Sequence, residues 1–216
     1  MAGGDGTPRQ VVPGSVGILG GTFDPIHVGH LAIAEDARER LGLERVDFVA
    51  AGMPQLRPKP PAASAQDRAA MVELAISGNP AFRINRLEVT RDGATFTVDT
   101  LEILHARTRE AGHEPDLWFI LSAESLLTLP RWKSPERVLQ LARLAVVPRQ
   151  GTGTPDRGWL ESQFPGAGGR VAFLDGPLLA VSGSAIRRRL AAGRSIRYLV
   201  PDAVWAYIAD HHLYRP

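Results

Sequence analysis

A glycine-rich turn followed by two histidines is the segment of this sequence with the most chemical potential. Gly20-Gly21-Thr22-Phe23-Asp24-Pro25 precedes His27 and His30, which are three residues apart. At that spacing on a helix, both imidazole rings face one side and can reach the same ligand. A glycine turn leading into a helix directs backbone N–H groups and the helix dipole at an anion. The segment therefore predicts a phosphate site whose imidazoles stabilise charge on phosphate oxygens.

A second candidate phosphate group lies near the end of the chain, in Ser182-Gly183-Ser184-Ala185-Ile186-Arg187. Ser184 and Arg187 would stand one helical turn apart, so that a hydroxyl and a guanidinium can share one phosphate. Each motif also has a purely structural explanation. The first would be a tight turn with two helix-capping histidines, and the second a capping serine with a solvated arginine. Their occurrence together favours the phosphate site.

Strands and helices must alternate along the chain to position these motifs. Alternation of this kind implies right-handed crossovers and a mostly parallel sheet, with ligands bound beyond the carboxyl ends of its strands. We therefore predict an α/β fold, a Rossmann-like doubly wound sheet in a single domain. Strands are predicted at 16–19, 46–51, 82–89, 117–121, 144–147 and 171–174, and helices at 31–41, 67–77, 97–111, 184–191 and 201–209.

Length and composition limit the remaining possibilities. The first fifteen residues of the 216 are rich in glycine and proline, so residues 1–15 are predicted to be a flexible N-terminal arm before a domain at 16–216. The Gly- and Pro-rich segment 148–169 is predicted to be a connection carrying a short helix at 159–163. The absence of cysteine excludes disulfides and thiolate metal sites. With no apolar run of membrane-spanning length, a cytoplasmic protein without a membrane partner is expected.

Charge argues for small anionic ligands. The formal net charge is only +2, and the arginine clusters are interleaved with acidic stretches and lack an aromatic stacking ladder. A nucleic-acid partner is therefore not expected. A homo-oligomer is left open by the sequence.

The glycine turn with its His-x-Gly-His sequence resembles the signature of a nucleotidyltransferase superfamily. Its members transfer an adenylyl or cytidylyl group from a nucleoside triphosphate to an acceptor. Ser182 to Arg187 resembles the second signature of that superfamily, Ser-Ser-Thr-x-Ile-Arg. Gly183 stands in place of a serine, and Ser184 replaces a threonine but keeps its hydroxyl.

The acceptor side resembles one branch of that superfamily, the bacterial nicotinate-nucleotide adenylyltransferases. Phe96-Thr97-Val98-Asp99-Thr100-Leu101 matches their Tyr-Thr-x-Asp-Thr-Leu segment, with Phe96 for tyrosine. Phe119 to Leu126 and the later Trp132 match Phe-Ile-x-Gly-Ala-Asp-Ser-Leu and a tryptophan element. Two departures occur: Ser122-Ala123-Glu124 replaces Gly-Ala-Asp, and Pro54-Gln55-Leu56-Arg57 replaces Pro-Pro-His-Lys. The resemblance covers about 16–214.

This resemblance implies a reaction and a set of site residues. ATP, accompanied by Mg²⁺, and nicotinate mononucleotide would give deamido-NAD and pyrophosphate in NAD biosynthesis, with no metal site on the protein. His30, His27 and Arg187 would be catalytic. The expected ATP-binding residues are Gly20, Gly21, Thr22, Phe23, His27, His30, Glu124, Ser182, Ser184 and Arg187. The expected acceptor-binding residues are Asp24, Arg57, Lys59, Thr97, Trp132 and Lys133.

Two alternatives share the phosphate motifs. A phosphopantetheine adenylyltransferase would have both signatures, but is shorter and lacks the Thr-x-Asp-Thr-Leu segment. A non-catalytic nucleotide-binding regulator would be consistent with the departures at Gly183 and at Ser122 to Glu124.

Overall fold

Six parallel strands form the centre of the computed structural model, which describes residues 9–54, 59–91, 93–148, 153 and 155–215. All the pairings between neighbouring strands are parallel. The strands stand in the order β4-β2-β1-β6-β7-β8. They are β1 (Val12–Gly21), β2 (Leu43–Ala50), β4 (Phe82–Asn85), β6 (Asp116–Ser122), β7 (Arg143–Val147) and β8 (Val171–Phe173).

The strand order places a topological switch point at the middle of the sheet. From β1 the chain winds outward in one direction through β2 and β4, and then returns to the other side of β1 with β6. Connections therefore leave the carboxyl ends of β1 and β6 in opposite directions and open a crevice there. The glycine turn follows β1 directly, so it lies at this crevice.

Helices cover both faces of the sheet, which confirms the predicted doubly wound α/β fold. One apolar cluster contains residues of the first two and the last two helices, and a second contains residues of the four between them. The eight helices described are α1 (Val28–Leu41), α2 (Ala65–Ile76), α3 (Thr97–Glu110), α4 (Ala123–Thr128), α5 (Pro135–Leu141), α6 (Arg157–Gln163), α7 (Gly183–Ala191) and α8 (Asp202–Asp210).

Local signals in the sequence account for the ends of several helices. Gly42 ends α1 with φ of 66°, a left-handed conformation that a glycine adopts without steric cost. The hydroxyl of Ser64 accepts the backbone N–H of Asp67 and so caps α2. Asp156 caps α6 in the same way, and that helix starts two residues before the predicted 159–163.

The predicted N-terminal arm is too long. Strand β1 begins at Val12 rather than at residue 16, and Ser15 is almost fully buried. Its hydroxyl donates to the carbonyl of Val12 at 2.6 Å, and the N–H of Gly14 donates to Glu44 at 2.5 Å. These contacts join residues 12–15 to the sheet despite their glycine and proline content.

A minor sheet and two unpredicted helices lie beside the crevice. Strands β3 (Met53–Pro54) and β5 (Ala94–Thr95) pair in parallel, and neither was predicted as a strand. Helices α4 and α5 have six and seven residues, too short for a periodic apolar pattern to be visible in the sequence. None of the helices within the described residues is long and apolar enough to cross a membrane.

Candidate active site

The crevice at the switch point is a cleft of about 710 Å³. Its walls come from the turn after β1, the start of α3, the segment from β6 to α5, and the start of α7. The fold thus brings together residues that are far apart in the chain, such as Gly20 and Arg187, which are separated by 167 positions. The predicted site residues on its walls are Gly20, Gly21, Thr22, Phe23, Asp24, His27, His30, Thr97, Glu124, Trp132, Lys133, Ser182, Ser184 and Arg187.

The two histidines are stacked on each other at the start of α1. Their ring centroids are 3.7 Å apart with an angle of 18° between the planes. The backbone N–H of His27 donates to Nδ1 of His30 at 3.2 Å. Because Nδ1 of His30 accepts this bond, its neutral imidazole carries the proton on Nε2. The helix start therefore fixes both the orientation and the tautomer of His30.

Close packing around these rings explains two of the neighbouring residue types. A Cβ added at Gly29 would lie 3.1 Å from Nδ1 of His27, so the glycine leaves room for the stacked pair. Phe23 is buried, has φ of 50° and packs its ring edge-on against His30 at 5.0 Å. A left-handed conformation is strained for a bulky residue and persists only where the surroundings impose it. The turn is therefore held by its packing.

The second phosphate motif lies at the start of α7, on the same wall. Ser182 caps this helix by accepting the N–H of Ala185, while Nη2 of Arg187 donates to Oγ of Ser184 at 3.3 Å. The expected serine–arginine pair is thus formed, and the capping serine is Ser182. A Cβ at Gly183 would lie 2.8 Å from the carbonyl oxygen of Asp24. The glycine in place of serine therefore lets α7 pack closely against the glycine turn at residues 20–25, the phosphate turn.

Trp132 provides the aromatic surface on the opposite wall. It is half-buried, and its ring meets that of Phe119 edge-to-face at 5.8 Å. Its indole N–H donates to the hydroxyl of Thr128 at 3.1 Å. These contacts fix the plane of the indole, and a planar aromatic ligand in the cleft can stack on it.

The start of α3 completes this wall. Thr97 is the first residue of the helix, and Phe96 before it makes no side-chain cap. The first N–H groups of a helix have no acceptor within the helix, so they suit a carboxylate. Lys133 lies close by, with Nζ 2.7 Å from Asp99 and 4.9 Å from the centre of the Phe96 ring. The wall thus combines an aromatic face with donors for an anion.

Comparison with known proteins identifies the family. The sequence model of the cytidylyltransferase-like family matches residues 18–189. A relative from Dehalococcoides mccartyi, strain 195, is 43% identical over 92% of this chain and 96% of its own, and one from Roseiflexus sp. is 45% identical over 93% and 98%. Both are named probable nicotinate-nucleotide adenylyltransferases. The chain belongs to the nicotinate-nucleotide adenylyltransferase family.

It is accordingly a nucleotidyltransferase, as the sequence motifs predict. Solved structures agree on the fold of this family. Plasmodium falciparum nicotinic acid mononucleotide adenylyltransferase complexed with NaAD has a TM-score of 0.75 to this enzyme, with 18% sequence identity over 93% of this chain and 97% of that one. The same protein complexed with APC gives a TM-score of 0.73.

The carboxylate of Asp24 makes structural contacts in this adenylyltransferase that the sequence does not predict. It was expected to contact the acceptor, but its side chain is only 2% exposed. Oδ2 accepts the N–H of Ala62 and lies 3.3 Å from Nη1 of Arg187. Oδ1 accepts the N–H of Ala63 and the hydroxyl of Tyr214. A buried carboxylate requires such donors, so in this structure the Asp24 side chain joins the elements of the cleft wall, and its contact with the acceptor stays a prediction.

Arg68 is a buried charge that sequence reasoning missed. It is 1% exposed, and its guanidinium donates to the backbone carbonyls of Thr22, Gly52 and Ala63 at 2.8, 3.1 and 3.3 Å. It therefore connects the phosphate turn, the end of β2 and the segment before α2. Nothing in its own stretch of sequence signals this, because an arginine in a helix is usually solvated.

Glu88 and Thr100 form a second unpredicted polar contact in the cleft wall. Both are buried, and the hydroxyl of Thr100 donates to Oε1 of Glu88 at 2.7 Å. This bond ties the first turns of α3 to the segment after β4. A carboxylate that accepts a buried hydrogen bond fixes the start of α3, which forms one wall of the cleft with Trp132.

The departures at the start of α4 can be explained by local structure. Ser122, where relatives were expected to have glycine, accepts the N–H of Ser125 and caps α4. Glu124 follows in the first turn, is exposed and lines the cleft, so its longer side chain still reaches the ligand space.

Lys59 and Arg57 are the predicted acceptor residues that are not among those described in the cleft. Lys59 is exposed and is not among the residues lining the cleft, so the structure does not support contact between Lys59 and the acceptor. Arg57, with the loop 55–58, lies outside the described residues.

Proposed function

We propose that this enzyme transfers the adenylyl group of ATP to nicotinate mononucleotide, giving deamido-NAD and pyrophosphate. The observation that carries the proposal is the pairing of two unlike walls in one cleft. One wall has the stacked histidines and the Ser184–Arg187 pair, which suit a triphosphate. The other has Trp132 and the start of α3, which suit an aromatic carboxylate.

The chemical step needs no covalent enzyme intermediate. A phosphate oxygen of the mononucleotide attacks the α-phosphorus of ATP, and the bond to the oxygen bridging the α- and β-phosphates breaks. Pyrophosphate leaves with that electron pair. Because the attacking phosphate is already anionic, no side chain has to remove a proton. Catalysis then consists of orienting the two substrates and stabilising charge.

On the ATP side, we assign the α-phosphate to His30. Its Nε2–H is the donor left by the tautomer that His27 imposes, and such a donor strengthens as charge develops on the phosphate oxygens. His27 and Thr22 would contact the triphosphate, and Ser184 and Arg187 the β- and γ-phosphates. The buried contacts of Arg187 and the turn keep these groups in place before ATP arrives.

On the acceptor side, we assign the pyridine ring to the face of Trp132. The backbone N–H groups of Thr97 and Lys133 would hold the nicotinate carboxylate. An amide in its place would direct its NH₂ group at these donors and leave both unpaired. This wall is therefore the source of selectivity for nicotinate over nicotinamide.

Mg²⁺ enters as part of the ATP substrate. Among the described residues there is no group of three or more His, Asp or Glu side chains that could hold a metal ion. We propose that the magnesium is bound by triphosphate oxygens and water, as is usual where it accompanies a nucleotide. The cytoplasmic location stays a prediction from the sequence, which leaves open whether the enzyme forms a homo-oligomer.

Release of pyrophosphate tests the proposal. ATP would be mixed with the enzyme and with nicotinate mononucleotide, nicotinamide mononucleotide, phosphopantetheine or no acceptor. We expect rapid release with nicotinate mononucleotide. Release mainly with phosphopantetheine would identify the sister activity, and ATP binding without release in any mixture would indicate a regulator. Either of these results contradicts the proposed reaction.

A further inference from the structure

The chain returns to the phosphate turn after its last helix. Beyond α8 the backbone does not continue as a helix, since His212 and Tyr214 have φ of 52° and 63°. The N–H of Leu213 donates to the carbonyl of Ile208 at 3.0 Å and closes this bend. Two left-handed residues other than glycine so close together are costly and persist only where other contacts require them. The contact they make possible is that of the Tyr214 side chain.

Tyr214 reaches from this bend to the phosphate turn. Its hydroxyl donates to Oδ1 of Asp24 at 2.8 Å across 190 positions of sequence. Burial, followed by the charge of Asp24, raises the pKa of the Tyr214 hydroxyl well above its usual value, so it stays a protonated donor at neutral pH. A hydrogen bond from a hydroxyl to a carboxylate is stronger than one between neutral groups.

The same carboxylate contacts the arginine of the second phosphate motif. Oδ2 of Asp24 is 3.3 Å from Nη1 of Arg187, which also donates to the Asp24 backbone carbonyl at 2.5 Å. Nη2 of Arg187 donates in turn to Ser184. A continuous chain of polar contacts therefore runs from Tyr214 through Asp24 to Arg187 and Ser184.

We propose that Tyr214 is a positioning residue for ATP binding, acting on Arg187 through the carboxylate of Asp24. The inference rests on the proposed contact between Arg187 and the triphosphate. The carboxylate of Asp24 is shared among several donors. When the hydroxyl of Tyr214 is removed, the carboxylate interacts more strongly with the guanidinium of Arg187. A guanidinium held in that way is displaced from the phosphate oxygens it would bind.

Tyr207 offers a matched control on the same terminal segment. Its hydroxyl also donates to an aspartate, Oδ1 of Asp67, at 2.9 Å. Asp67 is at the start of α2, and neither it nor Tyr207 lines the cleft. Tyr207→Phe therefore removes the same kind of bond without touching the chain of contacts to Arg187.

The experiment compares Tyr214→Phe and Tyr207→Phe by steady-state kinetics and Tm. We expect Tyr214→Phe to raise KM for ATP by roughly three- to tenfold, the scale of one hydrogen bond, with little change in KM for the mononucleotide. Tyr207→Phe should lower Tm only. Equal ATP KM values in the two variants would mean that Tyr214 merely stabilises the fold, and would overturn the proposal.

A double-mutant cycle with Arg187→Ala separates this proposal from the function on which it rests. If Arg187 carries the effect, Tyr214→Phe should no longer change KM for ATP in the Arg187→Ala background. If Arg187→Ala itself leaves KM for ATP unchanged, the triphosphate role of Arg187 fails and the positioning role with it. If Arg187→Ala raises KM but Tyr214→Phe does not, only the positioning role is wrong. If Tyr214→Phe is unstable, ATP binding is compared by the increase in Tm that ATP causes. For each variant this increase is measured from the Tm of the same variant without ATP.

Discussion

The two walls of the cleft are stabilised in different ways. The ATP wall, which carries the stacked histidines and the Ser184–Arg187 pair, is stabilised by hydrogen bonds between buried groups. Asp24 accepts four donors, and Arg68 donates to three backbone carbonyls. The acceptor wall is formed by Trp132 and the start of α3. There Trp132 is half-buried, and the Lys133–Asp99 pair has side chains that are 49% and 22% exposed. Buried polar networks are rigid but costly to disturb, whereas exposed pairs contribute little to stability.

This contrast matches what each wall has to do. The charge on a reacting phosphate requires donors that are fixed before the reaction begins. Recognition of a flat ring and a carboxylate needs one stable face and helix-start N–H groups, which tolerate variation in the side chains around them. Mutations on the ATP wall should therefore affect stability and turnover, and those on the acceptor wall should affect the choice of acceptor.

The largest stability difference should separate Arg68→Met from Lys133→Met. The first leaves three buried or partly buried backbone carbonyls without their donor, at about 1–3 kcal/mol each when no water replaces it. We expect a loss of about 3 kcal/mol or more, and a fall in Tm of about 6 °C or more for a chain of this length. Lys133→Met removes an exposed ion pair and should shift Tm by about 4 °C at most. Thermal unfolding of both variants would measure this, and similar shifts would contradict the contrast.

Selectivity between acceptors should be the next largest effect. Nicotinate mononucleotide should exceed nicotinamide mononucleotide by at least ~10²-fold in kcat/KM, because the backbone N–H donors of Thr97 and Lys133 lose an acceptor when the carboxylate becomes an amide. Parallel initial-rate measurements at saturating ATP are sufficient. Equal rates with both acceptors would remove the basis for placing the carboxylate at Thr97 and Lys133.

Loss of the aromatic face should have a smaller effect, confined to one substrate. In Trp132→Ala, KM for the mononucleotide should rise by roughly 5- to 150-fold, equivalent to ~1–3 kcal/mol of stacking, while KM for ATP stays near its original value. Trp159→Ala is the control, since Trp159 packs against the same apolar cluster but does not line the cleft. If both variants gave the same acceptor KM, Trp132 would be only a packing residue.

The sequence predicted the features whose signals are local. Gly42 and Ser64 mark helix ends through the chemistry of one or two residues, and the glycine turn with its histidines is contiguous. The parallel sheet follows from the alternation of strands and helices. The short helices α4 and α5 were missed because six or seven residues show no clear periodicity.

The role of Asp24 could not be predicted for a different reason. Its partners lie 38, 39, 163 and 190 positions away, and its motif position suggested contact with a ligand. Arg68 and Glu88 were missed on the same grounds, since their burial depends on elements that meet only in the folded chain. Local patterns thus identified the residues of the cleft, but not which of them support the others.

The most direct test of the proposed mechanism is kcat for His30→Ala with ATP and nicotinate mononucleotide. If His30 stabilises charge that develops in the transition state, kcat should fall by ~10²–10³-fold, the effect of losing one preorganised donor. KM for ATP should change much less than in Arg187→Ala, and an unchanged Tm would show that the fold persists. A variant that folds normally, keeps the original kcat and only raises KM for ATP would show that His30 binds the ground state and the transition state equally. That result would contradict the mechanism.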